Sequence, residues 1–146
     1  MLSFGSTIQS AMNSEFLIFT NKMADIYFHP EPKILSVVYN GLVEYDLFEE
    51  VIEAVNNTAK TNGVHGTLAD VSRLRGSFHR LLQYMEEIGF PLLVDHGLRI
   101  QAQIISDDII MKNLISKVNK MLASLGVETR NFEDRKEGFE WLKKAL

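Results

Sequence analysis

From about residue 24 to the end, short apolar runs alternate with longer segments of helical period, and this alternation limits the fold more than any other feature. Ala24 to His29 and Ile34 to Tyr39 each read as a strand, separated by the turn Pro30-Glu31-Pro32-Lys33. Gly66 to Val71, Leu98 to Ile105 and Val127 to Phe132 are further strand-length runs bounded by turn residues. Between them lie amphipathic segments. Asp46 to Thr61 carries Phe48, Val51, Ile52, Val55 and Ala59 on one stripe, with Asp46 and Glu49 in a capping-box spacing. Ser77 to Ile88 follows, closed by Gly89 and Pro91. Asp107 to Leu125 has the stripe Ile110, Leu114, Val118, Met121 and Leu125, and a last helix opens at Asp134 and runs to Leu146. Strands joined by crossover helices give a parallel sheet, and the leading hairpin makes it mixed.

The expectation is therefore an α/β fold: a single domain with a mixed, mostly parallel five-stranded sheet and about four flanking helices. The hairpin strand Ala24 to His29 is expected at its antiparallel edge. Residues 21–146 form that domain, and residues 1–20 are a tail or an extra strand over Phe16 to Phe19. The 146 residues are one domain's worth. No apolar run approaches the roughly 18–20 residues that span a bilayer. The start of the chain lacks the positive charge of a secretory signal. The absence of cysteine excludes disulfides and thiolate chemistry, and suits a cytoplasmic location. A net charge of -4 argues against a nucleic-acid coat.

The chemistry-bearing stretch is Asp70 to Arg80. It follows a buried strand and opens a helix, the place where ligands collect in α/β sheets. Arg73, Arg75 and Arg80 surround Gly76 and Ser77, a set suited to a phosphate, a carboxylate or an acidic partner surface. The plainer account is the simpler one: Ser77 caps the helix, Gly76 makes a turn, and the arginines are solvated or paired with Asp70 and glutamates. No Gly-Lys-Ser/Thr follows, so this is no P-loop. His29, His65, His79 and His96 lack metal-ligand spacing. Ser72, His79 and Asp70 can be grouped as a triad only on paper, without a nucleophile elbow. Asp107 and Asp108 fit the positive end of a helix. No catalytic residue, metal site or cofactor follows from the sequence.

The order of elements resembles the SpoIIAA-like family, the STAS-type domains also called STAS/SEC14. Four places carry the likeness: Ile34-Leu35-Ser36-Val37-Val38-Tyr39-Asn40-Gly41, Leu68-Ala69-Asp70, Arg99-Ile100-Gln101-Ala102-Gln103-Ile104, and Phe132 with Phe139, Trp141 and Leu142. Gly138 departs from the family's alanine and is expected to weaken the last helix by up to about 1 kcal/mol. The resemblance implies a non-catalytic regulatory or protein-interaction module. Its binding residues would be Asp70, Ser72, Arg73, Arg75, Gly76, Ser77 and Arg80, docking an acidic or phosphorylated protein partner. It also implies Ser72 as the counterpart of a serine phosphorylated in anti-sigma antagonist relatives. Here the motif is Asp70-Val71-Ser72-Arg73, with Val71 in place of a serine and no following glycine. The alternative is a binder of a small hydrophobic ligand or lipid, lined by aromatics such as Phe78, Tyr84, Phe90 and Trp141. Edge strands and the apolar segment Phe90 to Val94 leave a homodimer open.

Overall fold

In the computed structural model, residues 15–146 are described. Ala24–His29 and Ile34–Tyr39 alternate inward and outward side chains over six residues each, so they form the hairpin β2–β3 at full length. The turn between them closes with Lys33 N–H donating to His29 O at 3.0 Å. Outside them lies β1, Phe16–Thr20, antiparallel to β2. The sheet thus has six strands rather than five, and β1 replaces β2 at the edge. The part of the N-terminal expectation that falls on residues 1–14 lies outside the described residues. β4 is the two-residue strand Gly41–Leu42. β5 (Gly66–Asp70), β7 (Ile100–Ile104) and β8 (Glu128–Phe132) continue the sheet in parallel, in the order β1-β2-β3-β5-β7-β8. β6, Leu74–Arg75, pairs with β4 in a separate parallel ladder. Neither two-residue strand has a sequence signal of its own.

Helix α1 spans Tyr45–Asn62 and buries Phe48, Val51, Asn56 and Ala59, with Ile52 and Val55 half-buried. Glu44, not Asp46, occupies its cap position, and no side chain caps it. Helix α2 is a continuous stretch from 79 to 95. It opens as a 3-10 turn at His79–Leu81, is α-helical at Leu82–Tyr84, widens to a π turn at Met85–Gly89, and returns to α at Phe90–Asp95. Gly89 and Pro91 therefore do not end it. The π turn lets Phe90 N–H reach Met85 O. That change of register accommodates the proline, which has no N–H and would crowd the carbonyl four residues back. The apolar run Phe90 to Val94 is thus helix, with Leu93 buried in the core. Helix α3, Ile109–Ser124, is capped by Asp108, whose carboxylate accepts from Met111 N–H at 3.0 Å. Its buried stripe is Met111, Leu114, Ile115, Val118 and Leu122. The expected stripe was rotated, and Ile110 is exposed. Helix α4, Arg135–Ala145, is capped by Asp134, which accepts from Lys136 N–H at 3.2 Å.

The two faces of the sheet are covered unequally. Helices α1, α2 and α3 pack on the face bearing Ile26, Leu35 and Val37. The other face bears Ile34, Leu68, Ile100, Ala102 and Ile104, and α4 alone lies on it, over β5, β7 and β8. Six strands at about 4.8 Å spacing span about 24 Å, and one helix is roughly 10–12 Å wide. Among the described residues, half of this second face therefore lacks a helix. Gly138 sets how closely α4 approaches. A Cβ there would stand 2.9 Å from Ile104 Cδ1 and 3.4 Å from the Ala102 Cβ. The glycine that costs helix propensity thus permits the close contact with the sheet. Leu142, fully buried beside it, contributes about 1.5–3 kcal/mol by burial.

Gly97 joins α2 to β7 at φ +114°, a region that side chains rarely adopt, and a Cβ there would stand 2.7 Å from Val64 O. Backbone carbonyls cannot step aside as a flexible side chain can. Gly97→Ala is expected to destabilise the protein by about 2 kcal/mol or more, read as a lower urea midpoint at unchanged slope.

His29, at the end of β2, is 7% exposed and stacks on Phe139 of α4 with ring centroids 4.3 Å apart. Burial holds its pKa below the ordinary value; the Glu15 carboxylate opposes this shift, and Lys143 adds to it. The unfolded chain then binds a proton that the folded chain does not, so His29 destabilises the fold as pH falls through the ordinary imidazole range. Replacing it with a neutral, non-titrating side chain, His29→Gln, is expected to flatten the fall of Tm between about pH 7.5 and 5.5. Parallel Tm–pH curves for the two proteins would sink this account.

Candidate functional site

The carboxyl ends of β3 and β5 lead into two loops that hold each other through their backbones. Gly41 N–H donates to Arg73 O at 3.1 Å, and Val43 N–H donates to Arg75 O at 2.9 Å. This β4–β6 ladder places Leu74 in the core and leaves Arg73 and Arg75 exposed on either side of it. Arg73 belongs to the turn that leads into the ladder, closed by Leu74 N–H donating to Val71 O at 3.1 Å, and Arg75 to the ladder itself.

Asp70 ends β5 and is 9% exposed. Its Oδ1 accepts from Ser72 N–H at 3.0 Å and from the Ser72 hydroxyl at 2.6 Å, an Asx turn that starts the loop. A phosphate on Ser72 would replace that hydrogen bond with repulsion from the Asp70 carboxylate and loosen the turn beside Arg73. Gly76 takes φ +95°, close against Leu42 and Val43. Ser77 Oγ accepts from His79 N–H at 3.1 Å, and Ser77 O accepts from the Tyr45 hydroxyl at 2.8 Å. The Arg80 guanidinium lies 4.4 Å from the centroid of that same Tyr45 ring. Tyr45, the first residue of α1, thus fixes both ends of the segment Ser77 to Arg80. Helix α2 begins at His79 as a 3-10 turn, two residues after the expected start, so Ser77 belongs to the loop rather than the helix. Among the described residues, no carboxylate lies within ion-pair distance of Arg73, Arg75 or Arg80. Leu42 stands beside Arg75 in the ladder and is 66% exposed. Sequence reasoning did not point to Leu42 or Tyr45; neither stands in a motif, and each matters only through the ladder and the loop contacts.

A second feature lies in the core. A cavity of about 110 Å3 sits between the sheet and helices α1 and α2. Phe48, Val51, Phe78 and Leu93 give it an apolar wall. Its floor is polar: the Thr67 hydroxyl donates to Gln101 Oε1 at 2.6 Å. Asn56 Nδ2 donates to the Tyr84 hydroxyl at 3.2 Å across one side. Burial pushes the nearby Tyr39 phenol well above the ordinary phenol range. Gln103, fully buried one step along β7, donates to Asn119 of α3, and its Oε1 has no hydrogen-bond partner. The polar side of β7 thus faces the three helices, and its apolar side faces α4. Of the aromatics expected around a cavity, Phe78, Tyr84 and Phe90 line this one. Trp141 lies on the opposite face, against Phe132.

No family model matches the chain, and no curated protein matches it by sequence. Among solved structures, it is similar to the one described as the anti-sigma factor antagonist SpoIIAA in its unphosphorylated form. That similarity has a TM-score of 0.52 at 11% sequence identity, and it covers 91% of this chain and 99% of the other. The likeness read from four short segments therefore extends across the architecture, hairpin and parallel strands together, and the chain has a SpoIIAA-like fold of the STAS type.

Proposed function

We propose that this protein is a non-catalytic STAS-type interaction module that docks an acidic or phosphorylated segment of a protein partner on the rim at the carboxyl ends of β3 and β5. The observation that carries this reading is the trio Arg73, Arg75 and Arg80: exposed, without carboxylate partners among the described residues, and mounted on backbone fixed by the β4–β6 ladder and by Tyr45. A guanidinium with no internal partner gives up little on meeting an external carboxylate or phosphate, and its fork geometry suits both. Leu42 supplies an apolar contact beside the charges. The solved structure that shares this fold is itself named as an anti-sigma factor antagonist, a regulatory role, which supports the same class of function here. A second copy of the chain would pair through β1, whose Phe16, Leu17 and Ile18 are exposed at the sheet edge.

The test is recovery of partners from lysate by the wild-type protein and by Arg73→Ala/Arg75→Ala, followed by affinity measurement on each recovered partner. The double variant is expected to weaken binding of the genuine partner by about tenfold or more, and wild-type binding should fall as salt rises. Arg73→Lys/Arg75→Lys should recover part of the loss. An affinity unchanged by the alanine variant removes the rim from the mechanism.

The core cavity bears on a second reading, a sensor of a small apolar molecule, and its size counts against that reading. Its 110 Å3 is below the roughly 300 Å3 at which ligand sites begin, and below an engineered cavity of about 150 Å3 that accepts benzene. A lipid chain does not fit it without separating α2 from the sheet.

A further inference from the structure

Among the described residues, the half of the second sheet face beyond α4 holds a cleft of about 500 Å3, within the roughly 300–1,000 Å3 of small-molecule sites. Its floor is the sheet itself. Tyr27 and Ser36 are opposed across the β2–β3 hairpin, and Ser36 lies beside Leu68 of β5. Phe139 of α4 forms a wall and covers His29. Arg135 and Lys136, from the first turn of α4, also line the cleft.

Ser36 separates this cleft from an ordinary surface groove. It is 4% exposed and lines the cleft, and its hydroxyl has no hydrogen-bond partner among the described residues. Its side chain is therefore placed to donate to a molecule in the cleft. The charge around it has a definite sign. Arg135 and Lys136 are exposed and hold no ion pair among the described residues. Lys143, paired with Glu140 at 3.6 Å, stands 5.7 Å from the Phe139 ring centroid. The acid lining the cleft is Glu15, and its carboxylate is 2.7 Å from His29 Nε2.

We propose that this cleft binds a small organic anion with a flat, aromatic body: the body lies over Ser36 between Tyr27 and Phe139, and Arg135 and Lys136 hold its carboxylate or phosphate. Ser36 donates to a polar substituent on the body. The site is separate from the arginine rim and does not depend on the docking function.

Amide NMR titrations of the full chain test the idea, with 4-nitrophenyl phosphate and 4-nitrobenzoate as probes and inorganic phosphate and benzylamine as controls. Saturable shifts at Tyr27, Ser36 and Phe139 are expected with at least one aromatic anion, and the better probe identifies the acidic group. Benzylamine should produce none. The surface variant Arg135→Gln/Lys136→Gln should weaken the better probe by about tenfold or more. Ser36→Val, checked for an intact spectrum and Tm, should weaken the nitro probes and leave unsubstituted benzoate, added as a further probe that lacks the nitro acceptor, unaffected. If Ser36→Val fails to fold, the surface variant still decides the matter. Shifts confined to Arg135 and Lys136 and equal with inorganic phosphate overturn the proposal, as do shifts at the Arg73 to Arg80 rim alone or an unchanged affinity in the surface variant.

Discussion

The contact of Gly138 with Ala102 and Ile104 fixes the position of α4, and that position decides what the second face of the sheet becomes. Parallel strands such as β5 and β7 are buried on both faces and need helices on both. Three helices serve one face. On the other, a single helix must cover the parallel strands, and it does so by lying close over β7. A side chain larger than glycine at 138 would lift the helix or force Ile104 aside. With α4 committed to β5, β7 and β8, the hairpin strands β2 and β3 have no helix over their outer face among the described residues. The cleft beside Ser36 follows from that unequal division.

The other face is managed differently. Gln101 and Gln103 point into the three-helix layer, where unpaired amides cost about 1–3 kcal/mol each. Thr67 and Asn119 partner them in part. Gln103 Oε1 remains without a partner, a cost that an apolar pair would avoid. The polar floor and the π turn in α2 meet at the 110 Å3 cavity, so the least regular helix stands over the least apolar part of the core.

What was legible in the sequence follows the range of the signal. The strands Ala24–His29 and Ile34–Tyr39 were readable to the residue, because alternation and two prolines are local facts. Asp108 and Asp134 cap their helices, consistent with acidic residues at those helix starts. Helix α2 was readable over its first half but not at its end: Gly89 and Pro91 are reliable stop signals unless a π turn changes the hydrogen-bond register, and that turn has no sequence mark. The α3 stripe was misphased because Ile109, Ile110, Leu114, Ile115 and Leu122 form a broad apolar arc, and only the sheet decides which part is buried. The Asp70 to Arg80 stretch was visible because it is contiguous. The cleft was not, because Glu15, Ser36 and Arg135 meet only through the hairpin and a helix a hundred residues later in the chain.

Net charge is a poor guide to what this molecule attracts. The chain totals -4, which by itself disfavours anions, yet its free cations are not spread evenly. Acidic residues concentrate on the outer face of α1 at Asp46, Glu49, Glu50 and Glu53, all exposed. Charges in water are screened within about 8 Å at physiological ionic strength, so an anion at the second sheet face responds to Arg135 and Lys136 far more than to distant glutamates. The same holds at the rim for Arg73 and Arg75. Local fields, set by which loops and helix ends the fold brings to the surface, therefore govern recognition here, and the overall acidity acts mainly on solubility.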